Sequence, residues 1–272
     1  MRPYVHGYSE REAQRLHDQC AILEDLLHSD TAYPPGSTVL EAGCGVGAQT
    51  VILAKRNPQA RIVSIDISAD SLGEARDRTD RLGITNVQLQ QADIMDMPFG
   101  KERFDHVFVC FVLEHLEEPL RALQGLKKVL REGGTITVIE GDHGSCFWHP
   151  QTAESLAAWQ SLITTQSKLN HDPLVGRRLY PLLEQAGFEV DNVSPRWVYA
   201  DAANPSLLDG MVNRIIVPMV ETARERALQL RLMDQPSWDK GIADLRRTGV
   251  PPDAAFFYTW FKGSAVKPKR VP

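Results

Sequence analysis

The chain has 272 residues, of which 43% are hydrophobic and 24% charged, and its formal net charge at pH 7 is −5. These values predict a folded globular protein with a substantial core, and the acidic balance argues against a nucleic-acid partner, which normally meets a basic surface. No apolar run approaches the roughly 20 residues of a membrane helix, so no membrane association is predicted.

The cysteines and the N-terminal sequence bear on the cellular compartment of the protein. The four cysteines are widely and unevenly spaced, which favours reduced thiols over a disulfide framework or a zinc site. The N-terminal segment lacks the apolar stretch of a secretory signal. A cytoplasmic protein is therefore expected, and the oligomeric state stays open.

The first predicted unit is an N-terminal helical cap over residues 1–35. Ser9 and Glu12 fit a capping box, in which each side chain satisfies a free backbone amide of the other residue. Apolar residues then recur at helical spacing at Leu16, Cys20, Leu23 and Leu27. The turn-forming sequence at 34–36 ends this unit.

Strands and helices alternate through residues 36–145. Buried strands are predicted at 39–42, 62–65, 87–89, 104–110 and 135–139. Between them we expect a helix over 48–56, a second that starts at Ser68 and stops at Gly83, and a third that starts near Pro119. Strands that are apolar on both faces and separated by helices indicate a parallel sheet with helices on both sides.

The second half combines helical insertions at 146–187 and 204–250 with final strands at 188–199 and 255–266. The whole chain is thus predicted to be a single α/β domain. Its centre would be a doubly wound, mostly parallel seven-stranded sheet, with the helical insertions forming a lid.

A glycine-rich turn follows the first strand. Glu41 ends the strand, and Gly43, Gly45 and Gly47 follow before the helix at 48–56. Glycines allow a tight turn and a close approach of a ligand to the main chain, and the helix start favours an anionic group. The pattern Gly43-x-Gly45-x-x-Ala48 also fits a dinucleotide dehydrogenase, so this turn alone does not choose between the two classes.

Five motifs in order resemble the class I S-adenosylmethionine-dependent methyltransferases across nearly the whole chain. They are the turn at 41–47, the strand 62–66 ending in Asp66, the segment 91–94, the segments 104–105 and 109–116, and the turn at 130–134. A dehydrogenase would share only the first two of these features. The sequence is therefore identified as resembling this methyltransferase family.

The resemblance implies S-adenosylmethionine as the cofactor. An acid at the end of the second strand, here Asp66, would hold the ribose hydroxyls, and Asp93 would contact the adenine amino group. The full set of implied cofactor-binding residues is Glu41, Gly43, Cys44, Gly45, Gly47, Gln49, Asp66, Ile67, Ala92, Asp93, Ile94, Cys110, Phe111 and His115.

The fourth motif bears on the acceptor. Segment 110–113 lacks the Asp/Asn-Pro-Pro-aromatic sequence of many amide and base N-methylating enzymes, and it is similar to quinone C-methyltransferases and their O- and N-methylating relatives. In-line methyl transfer to an oxygen, nitrogen or carbon of a small organic molecule is the expected reaction. Ligands of open α/β sheets bind beyond the carboxyl ends of the strands, which is where residues 140–145 should lie.

Candidate catalytic and substrate-binding residues follow from that position. His143 is the first candidate for a general base, because imidazole titrates near neutral pH; His115 is the second, and Asp142 would orient either ring. Candidate substrate-binding residues are Tyr8, Glu140, Phe147 and Trp148.

Several alternatives stay open. The acceptor would be a peptide or protein if the site were an open groove, and the chain would be a non-catalytic sensor of S-adenosylmethionine if no acceptor were methylated. Glu140, Asp142 and His143 together offer divalent-metal ligands, but three ligands within four residues rarely converge on one ion, so no metal is predicted.

Overall fold

A sheet of eight strands lies at the centre of the part of the chain that the computed structural model describes, residues 10–250 and 252–269. The strands are β1 (Thr38–Ala42), β2 (Arg61–Asp66), β3 (Val87–Gln91), β4 (Phe104–Cys110), β5 (Leu130–Gly141), β6 (Phe147–His149), β7 (Glu189–Asp201) and β8 (Ala255–Val266). β1 to β5 are parallel in the order β3-β2-β1-β4-β5, and β8 runs antiparallel beside β5. The predicted α/β fold with a mostly parallel sheet is confirmed.

Helices surround this sheet. They are α1 (Glu10–His28), α2 (Ala48–Arg56), α3 (Ala69–Arg81), α4 (Pro119–Val129), α5 (Ala153–Lys168), α6 (Leu179–Gln185), α7 (Pro205–Asp209), α8 (Val217–Thr222), α9 (Arg224–Gln229) and α10 (Gln235–Thr248). A π-helix over Gly210–Ile216 joins α7 to α8. Within the described ranges, no helix combines the length and the apolar character that crossing a membrane requires.

The strand termini and helix starts have simple local causes. α2 begins directly after Gly47, and α3 begins after Ser68, whose hydroxyl accepts a hydrogen bond from the Ser71 amide at 3.2 Å. Gly83 follows α3 with a φ of +63°, a conformation that favours glycine and ends the helix. Ser9, proposed above as the cap of α1, lies outside the described residues.

Two apolar cores cover the two faces of the sheet. On β4, Phe108 packs into the core formed with α1, α2, α5 and the helices after residue 205, whereas Val107 and Val109 pack against α4 and α6. This alternation follows the period of two along a strand. The sheet is therefore buried on both sides, as its apolar strands predict, and its carboxyl-end edge is left to form a site.

β6 is an additional strand that sequence patterns do not reveal. Its three residues pair with Ala255–Phe257 of β8, in line with β5 and opposite β7. A three-residue strand has too short a pattern to be recognised, because alternation needs at least four or five residues to stand out.

Candidate active site

The turn between β1 and α2 is held against the ends of neighbouring elements. The amides of Gly43 and Cys44 both donate to the carbonyl of Ile65 on β2, at 2.8 and 2.9 Å. A Cβ at Gly43, where φ is +82°, would lie 2.4 Å from Cγ2 of Val112. By contrast, a Cβ at Gly45 (φ +50°) would meet no atom within 4 Å, so the main chain there faces open space.

That open space is a cavity of about 220 Å³ at the carboxyl ends of β1, β2, β3 and β4. All of the implied cofactor-binding residues line it except Glu41 and Gly47. The lining residues that sequence reasoning did not assign to the cofactor come mainly from α1 and α3; they include Glu12, Ala13, Leu16, Gln19, Asp70, Ser71 and Glu74. The motif residues are thus brought together, and α1 covers them.

Asp66 is the carboxylate at the end of β2 that faces this cavity. Its Oδ2 accepts from the Gly45 amide at 2.8 Å and its Oδ1 accepts from the Ser68 amide at 2.9 Å. Burial raises the pKa of Asp66, and these backbone hydrogen bonds oppose the rise. Since each carboxylate oxygen has two acceptor positions, Asp66 can still accept from two hydroxyl groups of a ligand.

Glu41 and Gly47 lie behind the turn and outside the cavity lining. Oε2 of Glu41 accepts hydrogen bonds from Thr50 and Ser64, each at 2.6 Å, and burial raises the pKa of Glu41 to about 7. A Cβ at Gly47 would lie 2.9 Å from Cβ of Ala75, so Gly47 allows the turn to pack on α3. Glu41 and Gly47 therefore support the conformation of the turn from the side away from the cavity.

Three polar residues of α1 form a buried network over the cavity. Nε of Arg15 donates to Oε2 of Glu12 at 2.8 Å, and Nη1 of Arg15 donates to Oε1 of Gln19 at 2.6 Å. All three side chains are buried. Arg15 and Glu12 thus form a buried ion pair beside the site, with Gln19 bonded to the same guanidinium.

A second chamber of about 50 Å³ adjoins the first. The two share four lining residues: Leu16, Gln19, Phe111 and His115. The smaller chamber is further lined by Arg15, Glu114, Gly141, His143, Ile215, Ile216, Met219, Tyr258 and Trp260. The π-helix and α8 contribute Ile215, Ile216 and Met219 to its lining, so apolar side chains line the chamber together with the polar groups.

His143, in the turn after β5, is buried in the wall of this chamber. Its Nδ1 lies 2.6 Å from Oη of Tyr258, and its Nε2 lies 3.8 Å from Oε2 of Glu114. Burial, reinforced by the nearby Arg15 charge, lowers the pKa of His143 to about 3. The imidazole is therefore neutral at physiological pH.

Glu114 lies between the two histidines that the sequence singles out. Its Oε1 is 3.5 Å from Nε2 of His115, and its Oε2 faces His143. Burial raises the pKa of Glu114, whereas the Arg15 guanidinium opposes that rise; burial also lowers the pKa of His115. Sequence reasoning did not name Glu114, although its place next to His115 in the fourth motif could have indicated it. No sequence pattern indicates Arg15 or Tyr258 as residues of this site.

The remaining candidate residues lie away from both chambers. Asp142 accepts a bidentate pair from Arg177 at 2.8 and 2.9 Å and forms no ion pair with either histidine, so the expected orienting contact is not made. Oε1 of Glu140 accepts from the amides of Val112 and Leu113 at 3.0 and 2.7 Å, and burial raises its pKa.

Of the aromatic candidates, Phe147 and Trp148 line neither chamber. Phe147 is half exposed and stacks on Phe257 with ring centroids 4.6 Å apart, whereas Trp148 is buried and donates its indole N–H to Ser155 at 3.2 Å. Tyr8 lies outside the described residues.

Glu140, Asp142 and His143 do not converge on a common point, because each is bonded to a different neighbour. Among the residues that the structure describes, no group of three histidine, cysteine or acidic side chains is arranged to hold a metal ion.

The parallel sheet, the glycine turn and the acid at the end of β2 together define the class I methyltransferase architecture. Residues 34–187 match the family model described as a methyltransferase domain, and the chain belongs to that family. The resemblance stated from the five motifs is thereby confirmed.

Among curated proteins, the chain is 27% identical over 241 residues to an uncharacterized methyltransferase of Schizosaccharomyces pombe, covering 81% of this chain and 83% of that protein. It is 32% identical over 106 residues to the demethylmenaquinone methyltransferase of Staphylococcus carnosus, covering 39% of this chain and 43% of that protein. The chain spans 54% and 24% of the length of two further relatives, from Streptomyces fradiae and a Synechococcus strain.

Solved structures share the fold at low identity. A candidate methyltransferase of Bacillus halodurans superposes with a TM-score of 0.60 at 19% identity, covering 91% of this chain and 99% of that one. Phosphoethanolamine N-methyltransferase 2 of Haemonchus contortus, solved with phosphomonomethylethanolamine and S-adenosylhomocysteine, has a TM-score of 0.59 at 15% identity, covering 96% of this chain and 59% of that one.

Proposed function

We propose that this protein transfers the methyl group of S-adenosylmethionine to a small organic acceptor. The observation that carries the proposal is the pair of adjoining chambers, one formed mainly by the motif residues and the other by a mixture of apolar and polar side chains. Family membership supports the reaction class, and the size of the second chamber supports a small acceptor.

The larger chamber fits the cofactor chemically. The open face of Gly45 admits a ligand close to the main chain, and the Asp66 carboxylate can accept from the ribose hydroxyls. Asp93, Ala92 and Ile94 line the cavity where the adenine ring is expected. Carboxylates are frequent in the lining, at Glu12, Asp66, Asp70, Glu74 and Asp93, which suits a cationic ligand.

The protein's part in the reaction is to position the acceptor against the cofactor and to exclude water. When bound, S-adenosylmethionine supplies an electrophilic methyl group on a sulfonium that leaves as a neutral thioether. Phe111 and His115 lie on the boundary between the chambers, so an acceptor beyond them would approach the cofactor from the side of β4 and β5. Holding the nucleophile there converts an encounter in solution into an oriented displacement.

The second chamber favours a small acceptor over a peptide. A volume of about 50 Å³, lined in part by Ile215, Ile216 and Met219, has room for the reactive end of a small molecule and little room for an extended chain. The names of the demethylmenaquinone and phosphoethanolamine methyltransferases indicate small acceptors for those proteins. His115 and His143 are the proposed neighbours of the acceptor on the polar wall.

Partition of a labelled methyl group tests the size of the acceptor. The protein is incubated with methyl-tritiated S-adenosylmethionine and a cell lysate, which is then separated into a protein fraction and a solvent-extracted fraction. We expect the label in the extracted fraction, with no transfer by a Gly45→Val variant. Enzyme-dependent label confined to the protein fraction would refute the small-molecule proposal and favour a peptide acceptor.

A further inference from the structure

Two buried polar atoms lie close together on residues that line the smaller chamber. Oε2 of Glu114 and Nε2 of His143 are 3.8 Å apart, and within residues 10–250 and 252–269 neither atom has a partner at normal hydrogen-bond geometry, although the nearby Gln166 side chain helps to lower the pKa of Glu114. Both side chains are more than nine-tenths buried and both line the chamber. Because an unsatisfied buried polar atom is costly, the pair is suited to a ligand group that bonds to both.

A hydroxyl group has the required chemistry. The tautomer in which Tyr258 donates its hydroxyl proton to Nδ1 of His143 leaves the ring proton on Nε2, which then donates to a ligand oxygen. Glu114 in its ionised form only accepts, so it would take a hydrogen bond from the ligand's O–H. One hydroxyl, acting as donor and acceptor at once, would satisfy both atoms.

The other residues that line the chamber describe the rest of the ligand. Phe111, Tyr258 and Trp260 supply aromatic surface, and Ile215 and Met219 supply aliphatic surface. Flat aromatic walls suit a planar apolar body whose polar group points away from them.

We propose, building on the proposed function, that the acceptor is a hydroxyl group on a planar apolar ring and that Glu114 is the catalytic base that receives its proton. The acceptor oxygen forms a bond to the methyl carbon while the carbon–sulfur bond breaks and its electron pair stays on sulfur. The hydroxyl proton passes to Oε2 of Glu114, which becomes a neutral carboxyl. His143 holds the oxygen through Nε2–H.

The environment favours Glu114 over His143 as the base. Burial raises the pKa of Glu114 above the usual carboxyl range, which strengthens it as a base, whereas the lowered pKa of His143 makes its imidazole a poor proton acceptor. The charged and titratable groups around Glu114 are Glu12, Arg15, His115, Glu140, His143, Asp172 and Tyr258. The Arg15 guanidinium opposes the rise in the pKa of Glu114 and so favours the ionised carboxylate.

Binding of phenol and toluene to the S-adenosylhomocysteine-loaded protein tests this inference without an identified acceptor. The two probes match in shape, but only phenol carries a hydroxyl. Calorimetric titrations between pH 5.5 and 8.5 should show wild-type protein binding phenol about tenfold tighter than toluene, with a preference that grows as Glu114 ionises.

In the Glu114→Gln variant the preference for phenol over toluene should fall by about fivefold. The preference that remains should not depend on pH, because a neutral amide does not titrate. Glu117→Gln, an exposed neighbour with the same chemical change, is the matched control and should behave as wild type. If Glu114→Gln fails to bind S-adenosylhomocysteine, the wild-type comparison across pH still decides the matter.

Equal affinity for phenol and toluene, no phenol binding at all, or an unchanged pH-dependent preference in Glu114→Gln would each overturn the inference. Those results leave the proposed function standing as long as S-adenosylhomocysteine binds. Failure of the wild-type protein to bind S-adenosylhomocysteine would instead refute the proposed function.

Discussion

Two carboxylates near the glycine turn, Asp66 and Glu41, have different environments and therefore different roles. Asp66 reaches the cavity with spare acceptor positions, whereas Glu41 is enclosed by Thr50 and Ser64 beneath the turn. The sequence motif names both acids, because a motif records spacing and carries no information about which oxygen faces a ligand. Contacts of individual oxygens decide the roles.

Replacing Asp66 with alanine should weaken binding of S-adenosylhomocysteine by at least about tenfold. The change removes a charged acceptor for ribose hydroxyls and the bond that holds the Gly45 amide, and a hydrogen bond to a charged group contributes about 1.5–3 kcal/mol. Calorimetry would measure the affinity, with Asp77→Ala on the exposed side of α3 as the control. Wild-type affinity in Asp66→Ala would mean that another residue holds the ribose.

The buried Glu41 should make stability depend on pH. Its pKa is raised from 4.5 to about 7, so the folded state holds its proton more tightly than the unfolded state. The resulting stabilisation is complete below the unfolded pKa and is lost as pH rises through the folded pKa. The free energy of unfolding of wild type, relative to Glu41→Gln, should therefore fall by about 2 kcal/mol between pH 5 and pH 8.

Urea unfolding of both proteins across that pH range would measure the difference. The exposed Glu184→Gln on α6 provides the control, for which no such change is expected. A constant difference between wild type and Glu41→Gln would show that Glu41 is ionised in the folded protein throughout.

At the scale of elements, regular pieces follow from the sequence and irregular ones do not. The bounds of α2, β4 and β8 agree with the strand and helix patterns because each has a full run of buried residues between clear breakers. The helical insertion predicted at 204–250 is instead divided into α7, the π-helix, α8, α9 and α10. Such a division depends on packing against α1 and on the prolines and glycine within it, which periodicity does not resolve.

The end of β5 depends on a close contact with the turn at Val175–Arg178. A Cβ at Gly176 would lie 2.7 Å from the carbonyl oxygen of Gly141 and 2.9 Å from that of Glu140. These are backbone atoms of β5, just before His143, and they cannot yield without moving the strand. Gly176→Ala should therefore destabilise the protein by about 2 kcal/mol and lower Tm by roughly 4–8 °C.

Thermal unfolding of Gly176→Ala beside Gly73→Ala would test this contact. A Cβ at Gly73 meets nothing within 4 Å, and alanine is the better helix former within α3, so Gly73→Ala should keep or slightly raise Tm. An unchanged Tm in Gly176→Ala would show that the turn and β5 are more loosely packed than the structure indicates.

At the scale of the whole molecule, the cofactor cavity could be predicted and the acceptor chamber could not. The cavity forms from segments whose order along the chain fixes their meeting at one edge of a parallel sheet. The acceptor chamber joins Arg15, Glu114, His143 and Tyr258, residues that meet only because α1 and the π-helix pack over the sheet. No local pattern links positions so far apart in the sequence.

The most direct test of the account is calorimetric titration of the protein with S-adenosylmethionine, S-adenosylhomocysteine and NAD in parallel, together with the Gly45→Val variant. The wild-type protein should bind the first two ligands and not NAD. Gly45→Val should bind none of them, because its side chain enters the cavity from a φ of +50°. Binding of NAD alone, binding of no ligand, or normal affinity in Gly45→Val would contradict the placement of the cofactor at this turn.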